Sequence, residues 1–327
     1  MRTSRRKRDY AYFFIILILV LVILYGGLRF WESTVLFGDS DGDKGASKDL
    51  IRDGVTYWPR QDITVVLVMG IDRTGPVEDS GSYTNSGMAD MLTLLVFDEL
   101  DKECDAVCFN RDTMVKLTEL GIGGKPVGER IGQLALAHTY GNGLEESSQN
   151  TVKAVSDLLY GLKIDYYISL NMDAIKILND AVGGVTVNVK DDFSAIDPSI
   201  TRGEVKLSGE QAMTFVRTRH GLGDQLNVSR IERHKEYMTG FSRALRDSLD
   251  EDVDFVFSTY DTVSPYIVTD CTPSVISSMM KKYDGYKVNE IIIPEGENVM
   301  GEEYMEFYLD EEKLDRLIIS LFYAPKK

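Results

Sequence analysis

Histidine, cysteine and positive charge are all scarce in this chain of 327 residues. The only histidines are His138, His220 and His234, and without an H-E-x-x-H pair a metallohydrolase site of that kind finds no support. Neither a G-x-S-x-G elbow nor a G-x-x-x-x-G-K-[ST] loop occurs, so serine-hydrolase and P-loop chemistry are unsupported as well. The three cysteines, Cys104, Cys108 and Cys271, form no C-x-x-C, which argues against zinc knuckles and thioredoxin-like redox chemistry. Cys104 and Cys108 stand four apart in an expected strand, on one face but too far apart to bridge easily. Buried thiols, or one bridge to Cys271, are expected rather than catalysis. Gly (28) and Pro (8) are not enriched, which sets aside fibrous and disordered classes. With 36 Lys+Arg against 52 Asp+Glu the net charge is -16, and so acidic a surface repels phosphate backbones: no nucleic-acid partner is expected.

What is present is unevenly spread. Arg2, Arg5, Arg6, Lys7 and Arg8 face one acid, Asp9, and Tyr10 to Leu28 follows without a charge (YAYFFIILILVLVILYGGL). The run has the length of a helix that spans a bilayer core, and the basic cluster before it marks the cytoplasmic side. A cleaved signal peptide is the competing reading, but the run is long and no A-x-A-like site follows. The expected layout is a cytoplasmic tail over 1–9, a transmembrane anchor over 10–28 and an extracytoplasmic stalk over 29–60. A catalytic domain over 61–249 and a C-terminal α/β extension over 250–327, packed on or following it, complete the chain. Such a protein sits in the cell membrane by a single pass, with its N-terminus inside and its catalytic domain outside.

ITVVLVMG, from Ile63, is a near-continuous apolar run of strand length, as expected for a strand buried on both faces. MLTLLVFD (91–98), AVCFN (106–110), IDYYISL (164–170) and VTVNV (185–189) read as further strands. Helical patterns fall at 132–140, 147–160 and 172–182, the last stopped by Gly183-Gly184. Ser208 to Arg219 reads as a short helix, and Ser229 is placed to cap a helix over 230–249. YKVNEIIIPE and Glu311–Tyr323 add a strand and a terminal helix. This alternation predicts an α/β fold, a sheet sandwiched by helices.

Asp and Arg residues gather at the ends of these elements. Gly70-Ile71-Asp72-Arg73 leaves the buried strand at the sheet rim, where α/β sites form. Asp90 precedes the next strand, and together with Asp72 could place two carboxylates on one divalent cation. Asn110-Arg111-Asp112-Thr113 follows a third strand, with Asp112 able to orient Arg111. Arg217, Arg219, Arg230, Arg233 and His234 crowd into 18 residues of an otherwise acidic chain. Arg outnumbers Lys there, and its planar fork matches phosphate oxygens two at a time, which points to an anion site rather than a solvated face.

In this order behind an N-terminal anchor, GIDRT (70–74), ADMLTLL (89–95), NRDTM (110–114), LNDAVGGVTV (178–187), LSGEQAMTFVRTRH (207–220) and SRIERH (229–234) resemble the LytR-CpsA-Psr family of cell-wall polymer ligases. The resemblance covers about residues 62–245. It implies a three-layer αβα sandwich around a mixed central sheet. It also implies an extracytoplasmic phosphotransferase that moves a phosphoglycosyl polymer (teichoic acid, capsule or another wall glycan) from a polyprenyl-pyrophosphate carrier to peptidoglycan. Carried over by motif, Asp72 and Asp90 hold Mg2+ or Mn2+. Arg111 acts with them at the reacting phosphate, while Arg73, Arg217, Arg219, Arg230, Arg233 and His234 surround the pyrophosphate. The lipid tail lies in a long apolar pocket between sheet and helices. Two positions differ from the common family pattern: Cys108-Phe109-Asn110 replaces Ser-x-Pro, and His234 replaces a Gln, which adds an expected pH sensitivity. Hydrolysis of the same pyrophosphate, or binding of polyprenyl phosphates by a non-enzymatic envelope regulator, are the competing functions.

Overall fold

The computed structural model describes residues 49–81, 87–121, 125–218, 227–251, 255–271 and 285–326, together with Val275, Ser278, Met279, Lys282 and Tyr283. The expected anchor over 10–28 lies outside the described residues, and among those described no helix is long and apolar enough to cross a membrane.

The strands in chain order are β1 (Leu50–Arg52), β2 (Val55–Pro59), β3 (Ile63–Ile71), β4 (Ala89–Asp98), β5 (Glu103–Phe109), β6 (Met114–Leu120), β7 (Pro126–Gln133), β8 (Tyr166–Asn171), β9 (Val185–Val189), β10 (Gly203–Leu207), β11 (Ile267–Thr269), β12 (Lys287–Ile292), β13 (Gly296–Met300), β14 (Met305–Leu309) and β15 (Tyr323–Pro325). A 3-10 turn covers Leu134–Thr139, and the helices are α1 (Glu145–Leu158), α2 (Met172–Ala181), α3 (Gly209–Arg217), α4 (Asn227–Glu251), α5 (Phe255–Val263) and α6 (Glu311–Phe322). Six strands form the central sheet in the order β11-β8-β3-β4-β5-β12. β3 runs parallel to β8 and antiparallel to β4, and β5 runs parallel to β12, so the sheet is mixed.

Side chains alternate across a strand, and β3 divides cleanly on that rule. Val66 and Val68 enter one apolar layer, packed with residues of α2, α3, α4 and α5. Val65, Leu67, Met69 and Ile71 enter the other, packed with α1 and α6. This accounts for the continuous apolar run: both faces of β3 are covered. Local signals fix the helices near the site. Asn171 caps α2 by accepting from Asp173 N and Ala174 N, and Gly183 and Gly184 end it with positive φ. Ser208 opens α3 with a capping box closed by Gln211.

Three boundaries differ from the sequence reading. The stretch assigned to a stalk contains β1 and β2, which pair with the C-terminal β15. Arg52 grips Asp315 of α6 at 2.8 Å, a long-range contact that local composition does not announce. β11 and β12, both beyond residue 249, are the two edges of the central sheet, so the segment after 249 completes the sheet rather than following a finished domain. Ser229 does not cap α4, which begins at Asn227 and carries Ser229 inside its first turn.

Candidate active site

Asp72 continues the alternation of β3 into the layer of α2–α4. Its Oδ1 accepts from Arg217 Nη2 at 2.8 Å, across 145 residues of sequence. Both groups are half exposed, so this pair contributes at most about 1 kcal/mol of stability and stays available to a ligand. Arg73, one residue on, points to the opposite layer. A Cβ on Gly87 would come within 2.8 Å of its Cδ, and one on Gly143 within 2.9 Å of its Nη1, so the side chain threads between two glycines of positive φ. It lines a small cavity with His138, on the far side of the sheet from Arg217. The structure therefore does not bring Arg73 to the expected anion site.

Asp90 reaches the site through a break in register. Gly70 pairs with Met91 but Ile71 pairs with Ala89, which leaves Asp90 as an unpaired extra residue in β4. Such a bulge re-aims side chains. Without it Asp90 would share the α1 layer with Leu92. With it, Ala89 takes that layer and Asp90 joins Met91 beside α2–α4. Arg111, just beyond β5, donates from Nη1 to Asp90 Oδ1, and Arg111 Nη2 lies 3.1 Å from Met88 Sδ. The pair is largely buried, with side-chain exposures of 9% and 12%, so removing either charge is costly. Arg111 Nε lies 3.3 Å from Asp112 Oδ1, an ion-pair contact without hydrogen-bond geometry.

Beneath these charges lies a cavity of about 90 Å3. Gly70, Met91 and Leu170 form its sheet wall, and Met172, Ile175 and Leu178 of α2, Val216 of α3 and Tyr237, Met238 and Phe241 of α4 form the helical wall. Asp90, Arg217 and His234 supply its polar end. Met238 of α4 thus lines this space, while Leu245 of the same helix lies in the core.

Arg233 does not reach the cavity. Its guanidinium is 5% exposed and spends its donors on the Phe215 carbonyl at 3.1 Å, the Asp191 carboxylate at 2.9 Å and the Thr218 carbonyl. The ring Nε2 of His234 donates to the Val216 carbonyl at 2.9 Å. Side by side, the two residues satisfy the last carbonyls of α3, which a helix leaves unpaired and electronegative. Arg233 is therefore a tie that fixes the end of α3, and with it Arg217, rather than a pyrophosphate ligand. Arg230 lies in α4 but its side chain is outside the described residues, and so is the whole of Arg219.

The model of the LytR_cpsA_psr family matches residues 39–321. The chain belongs to that family. Among its relatives are the polyisoprenyl-teichoic acid–peptidoglycan teichoic acid transferase TagU of Bacillus subtilis, 30% identical over 51% of this chain and 48% of that protein, and the biofilm regulatory protein A of Streptococcus mutans, 29% identical over 61% and 46%. The chain spans about half the length of these relatives. Among solved structures, protein gbs0355 of Streptococcus agalactiae matches with a TM-score of 0.65 at 21% identity, covering 80% of this chain and 86% of that one. Bacillus subtilis TagV matches at 0.59 and 22%, covering 80% and 96%, and TagT bound to LI-WTA at 0.58 and 22%, covering 80% and 90%. At these identities the likeness is one of fold.

No group of three or more His, Cys, Asp or Glu side chains suited to a metal occurs among the described residues. Asp72 and Asp90 nevertheless fit a hard cation of the Mg2+ type, which takes one or two carboxylates and completes its shell with water and phosphate. Both are oxygen donors at one end of adjacent strands, where Asp72 N donates to the Met88 carbonyl at 2.9 Å. None of the three cysteines is in a disulfide, and Cys104 and Cys271 are buried thiols in one apolar layer. Burial pushes the Cys271 thiol up to about 12, against any nucleophilic role. Motif reading passed over two features: the cavity wall of Met91, Tyr237 and Phe241, whose residues are ordinary core types, and Gln133, which belongs to no charged cluster.

Proposed function

We propose that this chain is a membrane-anchored, extracytoplasmic transferase of the cell envelope. It moves a phosphoglycosyl polymer from a polyprenyl-pyrophosphate carrier to peptidoglycan and releases polyprenyl phosphate. The observation that carries the reading is the apolar cavity between sheet and helices, closed at one end by Asp90, Arg217 and His234. An amphiphile with an apolar tail and an anionic head matches that polarity. TagU of Bacillus subtilis, by its name a teichoic acid transferase, and TagT bound to LI-WTA are in keeping with such a substrate.

In the transfer an acceptor hydroxyl oxygen bonds to the sugar-linked phosphorus as the bond from that phosphorus to the bridging oxygen breaks. The electron pair leaves on polyprenyl phosphate and the hydroxyl proton is lost. Such reactions depend on positioning and charge neutralisation more than on a protein nucleophile. Arg217 is poised to exchange Asp72 for a phosphate oxygen, and Arg111 to exchange Asp90. Asp72 and Asp90 would hold Mg2+ or Mn2+, which supplies positive charge to the pyrophosphate when bound. Arg219 and Arg230 are proposed to complete the anion site.

Radiolabelled lipid-linked polymer incubated with the full chain should yield polymer-linked product only when peptidoglycan oligomers are present. Release of free polymer at the same rate without them would favour hydrolysis instead. Arg111→Lys keeps the charge but loses the fork, and should lower kcat/KM at least about tenfold. Asp90→Asn should cost as much and abolish the dependence on Mg2+. Wild-type rate and metal response in Asp90→Asn would remove Asp90 from the site.

A further inference from the structure

We propose that Gln133 is a positioning residue for Arg111, acting through Asp112 and referenced to the β13–β14 hairpin. What it positions Arg111 for rests on the transfer reading above; the link itself rests on geometry. Gln133 ends β7 and is 8% exposed. Its Nε2 donates to Asp112 Oδ1 at 3.0 Å and to the Met305 carbonyl at 2.8 Å. Both partners are pure acceptors, so the amide has to present its NH2 and both hydrogens are used.

The Asp112 Oδ1 that Gln133 holds is the atom 3.3 Å from Arg111 Nε. That nitrogen is buried and makes no hydrogen bond of good geometry. Backbone contacts fix the same turn from both sides. Phe307 N of β14 donates to the Asp112 carbonyl at 2.9 Å, and Ala135 N donates to the Arg111 carbonyl at 3.0 Å. Arg111 holds Asp90 through Nη1. Asp112 is thus the second carboxylate beside the guanidinium, and Gln133 holds it there. Replacing Gln133 by Leu takes its donor from two part-buried acceptors and loosens the hold on Asp112. Replacing it by Glu puts an acceptor where donors are needed.

The test uses the full chain in detergent. Gln133→Leu should lower kcat about tenfold or more while KM for the lipid-linked donor stays within about twofold, the pattern of a reacting group displaced by a fraction of an ångström. Asp112→Asn should do the same, and the double variant should be no slower than the slower single one. A role confined to folding would instead lower the folded fraction at unchanged kcat, and independent effects would multiply; either result overturns the proposal. A second readout needs no turnover: the 15N–1H signal of Arg111 Nε, assigned by its loss in Arg111→Lys. It should shift and exchange faster with water in Gln133→Leu, and an unchanged signal overturns the link. If the signal responds while the wild-type chain transfers nothing, the link stands and the transfer reading falls.

Discussion

His138 and Arg73 have to be read together at the scale of single residues. His138 is 3% exposed, with Nδ1 2.8 Å from the Gly87 carbonyl and Nε2 buried without a hydrogen-bond partner. Burial, and secondarily the Arg73 charge, pushes its pKa down to about 4, against the pull of the Gly87 carbonyl. The unfolded chain titrates this group near 6.5, so between those values the unfolded state holds more protons. Its contribution to stability is therefore complete above pH 6.5, falls as the pH drops toward 4, and amounts to about 3 kcal/mol. Urea unfolding at pH 7 and pH 4.5 should show a loss larger by about 2–3 kcal/mol in the wild type than in His138→Gln. Equal losses would mean that His138 is not held neutral. The sequence placed Asp72 and Arg73 in one motif, correctly as neighbours in the chain. It could not display that consecutive strand residues serve opposite layers, and that rule separates Arg73 from Arg217.

At the scale of elements, α4 is set by one glycine. A Cβ on Gly240 would overlap the Thr186 carbonyl of β9, so the helix lies on the strand as closely as backbone atoms allow. In an open helix Gly→Ala stabilises by about 1 kcal/mol. Here the overlap reverses the sign, and Gly240→Ala should destabilise by about 1–3 kcal/mol, lowering Tm by roughly 2–10 °C. Tyr237, Met238 and Phe241 ride on the same helix, so binding of a polyprenyl phosphate, followed by fluorescence, should weaken in that variant. An unchanged or raised Tm would show that α4 has room to move. The arginine-rich motif over 229–234 was legible as a device for anionic oxygen. Arg233 and the Nε2 of His234 turn to carbonyl oxygens at the end of α3, because a helix C-terminus offers an electronegative target at short range.

At the scale of the whole molecule, the central strands and their covering helices were readable from apolar runs, caps and glycine stops, all of them local signals. Of the two edges, β12 was legible as a strand in YKVNEIIIPE, but its place beside β5 was not, since Lys287 pairs with Glu103 across most of the domain. β11 has only three residues, and what makes it a strand is its partner. Tyr283 stacks on Phe97 of β4 with ring centroids 4.3 Å apart, which carries the last quarter of the chain into the core. A chain ending at residue 249 should therefore expose β5 and β8 as raw edges and aggregate. Size-exclusion chromatography and circular dichroism of that truncation against the full chain will decide; a monomer that unfolds cooperatively near the full-length Tm would make the C-terminal segment an appendage after all.

The extra residue in β4 makes the site a matter of phase. A strand addresses the two faces of its sheet in odd–even order, and one unpaired residue at Asp90 resets the count for what precedes it. Deleting Ala89 would restore a regular ladder and leave Asp72, Asp90 and all the arginines in the sequence. Asp90 would then swing into the layer of Leu92 and Leu94, away from the cavity and from Arg217. Two chains with identical site residues can thus differ in whether they have a site at all, according to the parity of a single strand.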